Sequence, residues 1–252
     1  IPVTVFQTIA ANLGSMATPV GNPQNLYLYA FYDLSIGDFF SVTLPLTAVS
    51  LIALLAASIP LMPRTLPKRS MEKAGIRSSK QLMIYLALFL LCLLTVFRVV
   101  DYRITLVVVT CLVVVCNCRL LSMVDYGLLG TFLAFFVFVG CISSVPAVAG
   151  LIESSVTSPL ATYITGIATS QVISNVPASL LLSGFASHGK ELLLAVNVGG
   201  LGTLIASLAS VISFNIYRNS STSCCKEGFM ARFTGYNLLF LAVLAPVVWV
   251  VS

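Results

Sequence analysis

Three short polar clusters interrupt an otherwise apolar chain. Asn12, Gly14, Ser15, Thr18, Pro19, Gly21, Asn22 and Asn25 form the first, Ser174, Asn175, Val176 and Pro177 the second, and Asn197, Gly199, Gly200, Gly202 and Thr203 the third. None holds an acid, a base or a thiol, so none is equipped for nucleophilic or acid–base catalysis. Their chemistry is that of holding an ion. Glycine lets a helix open without a Cβ clash, and Pro19 and Pro23 remove N–H donors. An opened helix shows carbonyl oxygens on one side, which together with Asn and Thr oxygens suit a hard cation; the half-helix that follows shows N–H groups and a positive dipole end, which suit an anion. Asn12, Asn175, Asn197 and Thr203 are the expected donors to a sodium ion. No other cofactor is implied.

The elements that must position these clusters are membrane helices. Hydrophobic residues make up 58% of the 252 residues and charged residues 8%, and apolar runs such as Phe39–Met62, Gln81–Phe97 and Tyr126–Gly150 are long enough to cross a bilayer. A β-barrel would instead alternate apolar and polar residues in segments of about ten. The chain therefore reads as an all-α, multi-pass protein of the plasma membrane. Broken segments are expected at Val3–Tyr32 and at 191–217, and full spans at Phe39–Met62, Leu82–Val99, Ile104–Cys118, Val124–Val148 and Thr234–Val251. The short Ile104–Cys118 span is expected to gain reach from Arg103 and Arg119 at its ends. A Ser-, Thr- and Pro-rich stretch at 154–186, with Ser174 and Asn175 at its tip, reads as a re-entrant hairpin.

Charge supplies the threading. The formal charge of +5 does not indicate nucleic acid, because the basic residues flank apolar segments rather than interleave with aromatics. Arg64, Lys68, Arg69, Lys73, Arg77, Lys80, Arg119, Arg218, Lys226 and Arg232 fall on one side and only Arg98, Arg103 and Lys190 on the other, if the 154–186 stretch enters and leaves by one face. The two broken segments then run in opposite directions. They also share a register: 185 residues on from Asn12, Gly14, Thr18 and Tyr32 stand Asn197, Gly199, Thr203 and Tyr217, while Asn22 and Asn25 meet Ser207 and Ser210. Inverted repeats with discontinuous helices point to a secondary transporter whose site lies at the breaks. The domain reading is the end of a first repeat at 1–62, a cytoplasmic basic loop at 63–80, and a second repeat at 81–252. The chain starts with Ile1 and carries no signal peptide, so it is expected to begin inside a longer protein.

Other residues receive plainer readings. Gly130 and Gly184 are expected to allow close helix packing, Tyr27, Tyr29, Phe31 and Tyr32 to form an interfacial aromatic belt, and Asp33 and Asp125 to be interfacial acids rather than proton carriers. His188 lies in a short connection. Cys116 with Cys118, and Cys224 with Cys225, lack the second half of a zinc motif.

The runs ANLGSMATPVGNPQN, SQVISNVPASLL and VNVGGLGTLIAS resemble the signatures of the ion transporter superfamily, especially its citrate transporter-like members, whose relatives include divalent anion/sodium symporters and arsenite permeases. The resemblance implies a secondary active transporter of a small anion, citrate or another carboxylate, coupled to sodium or protons, and a homodimer in the lipid bilayer. It places Ser174 and Asn175 at a hairpin tip and the other two clusters at helix breaks. Relatives that carry dicarboxylates have Ser-Asn-Thr at the tip where this chain has Val176, and the first hairpin tip would lie upstream of Ile1. The chain is therefore expected to lack most of the first repeat and not to transport by itself. The alternatives are a sodium/proton antiporter or arsenite permease on the same scaffold, or an inactive fragment.

Overall fold

The computed structural model describes residues 2–61, 75, 78–219 and 228–251. Arg64, Lys68, Arg69, Lys73, Arg77, Lys226, Cys224 and Cys225 lie outside the described residues. Among those described, every regular element is a helix. In chain order they are α1 (Pro2–Ser15), α2 (Pro23–Phe31), α3 (Ile36–Leu61), α4 (Ser79–Val96), α5 (Tyr102–Asn117), α6 (Tyr126–Ser143), α7 (Pro146–Ser155), α8 (Pro159–Ile173), α9 (Asn175–Ser183), α10 (Gly189–Val198), α11 (Leu208–Asn219) and α12 (Phe229–Val251). Five helical segments are long and apolar enough to cross a bilayer: Ile36–Pro60, Ser79–Val96, Tyr102–Met123, Tyr126–Ser143 and Phe229–Val250. Their large apolar side chains remain exposed along α3, α4, α5 and α6, as expected of helices whose solvent is hydrocarbon.

The chain divides into two compact units, residues 1–62 with 134–252, and residues 63–133. In the smaller unit α4 and α5 form a helical hairpin. Asp101 caps α5 by accepting from the Arg103 amide at 2.8 Å, and the Thr95 and Thr105 hydroxyls meet at 2.5 Å between the helices.

The larger unit has one apolar core. Val5, Phe6, Ile9 and Leu13 recur at helical spacing on one face of α1 and, with Met16 just beyond its end, pack against Phe229, Phe233, Phe240, Leu244 and Val248 of α12, with Leu194, Ala195 and Val198 of α10. Helices α8 and α10 approach closely: a Cβ on Gly166 would stand 2.6 Å from that of Ala195. Both broken segments belong to this unit. The first pairs α1 with α2 across Met16–Asn22, the second pairs α10 with α11 across 199–207. Their directions are opposed. Tyr32, at the end of the first, lies against Gly189, at the start of the second, and Lys190 pairs with Asp38 just beyond the first at 2.6 Å.

Four expectations are corrected. The span drawn at Val124–Val148 is two helices, because Pro146 cannot continue the hydrogen-bond ladder and instead opens α7. The short span at Ile104–Cys118 is lengthened to Met123 by a 3₁₀ segment, Cys118–Met123. The last span starts at Phe229 rather than Thr234. Gly130 and Gly184 are not packing contacts: a Cβ on either would meet nothing within 4 Å. The tyrosines also do more than edge a membrane. Tyr29 is buried against Phe39, the Tyr32 hydroxyl donates to Ala186 O at 2.7 Å, and the Tyr27 and Ser183 hydroxyls bond at 2.9 Å, which ties α2 to α9.

Candidate functional site

The first break follows from its own side chains. Asn22 leaves helical geometry as the N-cap of α2, its side-chain Oδ1 accepting from the Asn25 backbone N–H at 2.9 Å, and Pro23 occupies the first helical position. The Asn25 side chain reaches back to donate to Met16 O and Thr18 O, each at 3.3 Å, and so satisfies carbonyls that the broken ladder releases. Gly21 folds against α1 so closely that a Cβ would overlap the Ser15 carbonyl. Ser15 donates to Asn12 O and accepts from Asn22 Nδ2.

The second break is held from outside. Gln171, on α8, donates through Nε2 to Gly199 O at 2.8 Å and to Leu201 O at 2.9 Å, and its Oε1 accepts from the Thr203 amide at 2.9 Å. The Thr203 hydroxyl donates to Gln171 O at 3.0 Å. Gly202 has φ +109°, and a Cβ there would overlap Gln171 Oε1. Ser207 then caps α11, accepting from the Ser210 amide at 3.2 Å. The register seen in the sequence is repeated in the structure: Ser207 and Ser210 stand in the second segment where Asn22 and Asn25 stand in the first.

Amides join the two breaks. Asn12 Nδ2 donates to Gly200 O at 3.3 Å, Asn22 Nδ2 to Asn197 Oδ1 at 3.0 Å, and Asn197 Nδ2 to Asn25 Oδ1 at 2.7 Å and to Leu193 O at 2.8 Å. Asn25 and Asn197 are fully enclosed. The hairpin tip lies beside them: a Cβ on Gly200 would stand 2.8 Å from Asn175 Nδ2, and Ser174 Oγ points to Ala206 O. Ser174 itself has φ +79° and ψ 153°, a region almost reserved for glycine that costs on the order of 1–3 kcal/mol.

At this junction opens a cavity of about 290 Å³ lined by Ala11, Asn12, Ser15, Gly21, Asn22, Pro23, Gln24, Asn175, Val176, Ser207, Leu208, Ala209 and Ile212. Among the described residues no charged side chain lines it. Three helix N-termini reach it, those of α2, α9 and α11. The amides of Gln24, Asn175, Val176, Leu208 and Ala209 fall in first turns, where no intrahelical acceptor exists. The side chains of Gln24 and Asn175, each 4% exposed, make no hydrogen bond to the rest of the described protein. An anion fits such a wall, since dipoles and free N–H groups converge without a fixed counter-charge.

Of the residues expected from sequence, Asn12, Ser15, Gly21, Asn22, Asn175 and Val176 line the cavity. Asn25, Asn197 and Gly200 stand behind it as supports, and Thr18 and Ser174 bond to the frame. Gly199, Gly202 and Thr203 belong to the Gln171 clamp. Gly14, Pro19 and Pro177 shape the backbone, with open space around Gly14. Of the four expected sodium donors, Asn197 Oδ1 accepts from Asn22 Nδ2 and the Thr203 hydroxyl donates to Gln171 O. Among the described residues no group of three or more His, Cys, Asp or Glu side chains comes together. Gln24, Leu208, Ala209 and Gln171 were missed. The Asn-Pro pair before Gln24 was the available signal, since it sets an N-cap and first position; Ser207 was flagged by its match to Asn22.

Comparison with known proteins agrees with this architecture. Residues 1–189 match the family model described as citrate transporter. The chain is 33% identical over 223 residues to the inner membrane protein YbiR of Escherichia coli, covering 86% of this chain and 59% of YbiR. It is 30% identical over 254 residues to the uncharacterized transporter MJ0456 of Methanocaldococcus jannaschii, covering 98% of this chain and 67% of that protein. The chain thus spans roughly three fifths to two thirds of the length of these relatives. It is a multi-pass membrane protein, and it belongs to the citrate transporter family.

Proposed function

We propose that this chain carries the solute site of a secondary active transporter for a small anion, citrate or a related carboxylate, coupled to sodium or to protons. One observation carries the reading: three helix N-termini and the unpartnered amides of Gln24 and Asn175 converge on a single cavity that no charged side chain neutralises. Each N-terminus contributes about 0.3–1 kcal/mol toward a nearby negative charge, more when water is excluded. The family description supports a carboxylate. The lack of an acid in the cavity lining disfavours antiport through a buried Asp or Glu. Coupling then falls to a sodium ion held by neutral oxygens or to protons carried on the solute.

The test uses the full-length protein in proteoliposomes, with labelled citrate and imposed sodium or pH gradients. Uptake driven by one of these gradients is the expected result, and Asn175→Ala should abolish it while leaving the melting temperature nearly unchanged. Absence of citrate uptake under every gradient overturns the carboxylate reading. Uptake that survives Asn175→Ala removes the cavity from the path.

A further inference from the structure

We propose that Gln171 is a positioning residue that locks the α8–α9 hairpin to the second helix break, so that the N-termini of α9 and α11 approach the solute as one rigid pair. The inference rests on the anion reading for its consequence in transport, and on geometry for the lock itself. Gln171 engages three main-chain groups of the break through one side-chain amide, at Gly199 O, Leu201 O and Thr203 N, and its own carbonyl receives the Thr203 hydroxyl. It stands three residues before the hairpin tip at Ser174, and Thr203 stands four residues before the α11 cap at Ser207. Ser174 Oγ and Ala206 O approach beyond the clamp, on the side of the cavity. The carbonyls of an opened helix at membrane depth must be satisfied within the protein, and here one residue of the neighbouring element satisfies two of them. Its hydrogen-bond partners are all uncharged. The third N-terminus, that of α2, is held separately: Asn22 and Asn25 bond to Asn197 of α10, and Tyr27 bonds to Ser183 of α9.

The lock predicts a pH-dependent phenotype for Gln171→Glu. As a carboxylate the new side chain can accept from Thr203 N but cannot donate to the two carbonyls; once protonated it regains one donor. The carboxylate mismatches the two facing carbonyls and the protonated acid matches one of them, so the defect should be larger at about pH 8 than at about pH 5.5. In the full-length protein, the KM for labelled citrate is expected to rise about tenfold relative to wild type at the higher pH and to return toward wild type at the lower, with maximal rate less affected. Hydrogen exchange, compared with wild type at each pH, should show the break at 199–207 and the tip at 174–178 opening together at the higher pH and closing together at the lower.

Exchange confined to 199–207, with the tip unchanged, overturns the proposal, as does a KM defect that is the same at both pH values. If wild type takes up no citrate, the carboxylate reading fails by itself, and the exchange measurement still decides the lock: joint opening supports it and separate opening refutes it.

Discussion

The two broken segments solve one problem in two ways. In the first, the released carbonyls of Met16 and Thr18 are answered from within the same segment, by Asn25. In the second, those of Gly199 and Leu201 are answered by Gln171 of the hairpin. A self-closing break keeps its shape without a neighbour, whereas an externally held break moves with whatever holds it. The same contrast appears at the matched glycines. A Cβ on Gly199 would press on Ser170 and Ala195 O at 2.9 and 2.7 Å, whereas one on Gly14 would meet nothing within 4 Å. Symmetry of sequence has thus become asymmetry of support within the described protein.

The comparison can be broken most directly at those glycines. Gly199→Ala should destabilise by about 1–3 kcal/mol through overpacking against α8 and suppress citrate uptake, whereas Gly14→Ala should be neutral or stabilise by roughly 0.5 kcal/mol as an ordinary helical replacement. Thermal melts of the two variants in detergent check this, and equal losses would show that the breaks are supported alike. Next come the matched asparagines. Asn197→Ala strips two donors and an acceptor from a fully enclosed site and leaves Asn25 Oδ1 without its donor, at a cost of about 2 kcal/mol. Asn12→Ala loses one bond to Gly200 O, at a cost of about 1 kcal/mol. Their double variant sharpens the point: additive losses mean two independent bonds, while a smaller combined loss means one cooperative amide seam. The smallest effect is expected from Lys190→Ala. The pair with Asp38 is exposed and screened by salt, so the melting temperature should not move measurably, and a large drop would make this pair a structural latch.

Much of the fold was legible because membrane helices are long and apolar and their interruptions are few. Gly14 to Asn25 and Asn197 to Thr203 announced breaks through residues that a buried apolar helix would not otherwise carry, and Asn175 with Pro177 announced the tip. Pro146 was also visible, yet the apolar run around it concealed that it begins a new helix. The tyrosines were legible only in part for a related reason: composition shows amphipathic side chains, but only packing shows that Tyr32 and Tyr27 bond to the end of α9. Gly166, which allows α8 and α10 to touch, was indistinguishable in the sequence from Gly130, which touches nothing.

The amino-acid sequence by itself determined the solvent, the helical class, the positions of the breaks and their shared register, because hydrophobicity, glycine and proline act locally. Tertiary structure alone decided which amides support and which face the cavity. Asn197 and Asn175 are the same residue type in similar polar clusters, but one spends its hydrogen bonds on Asn22, Asn25 and Leu193 while the other faces the cavity. A hydrogen bond is made by the partner that arrives, and two of these partners, Asn25 and Asn22, arrive from 172 and 175 residues away in the chain once the helices are packed.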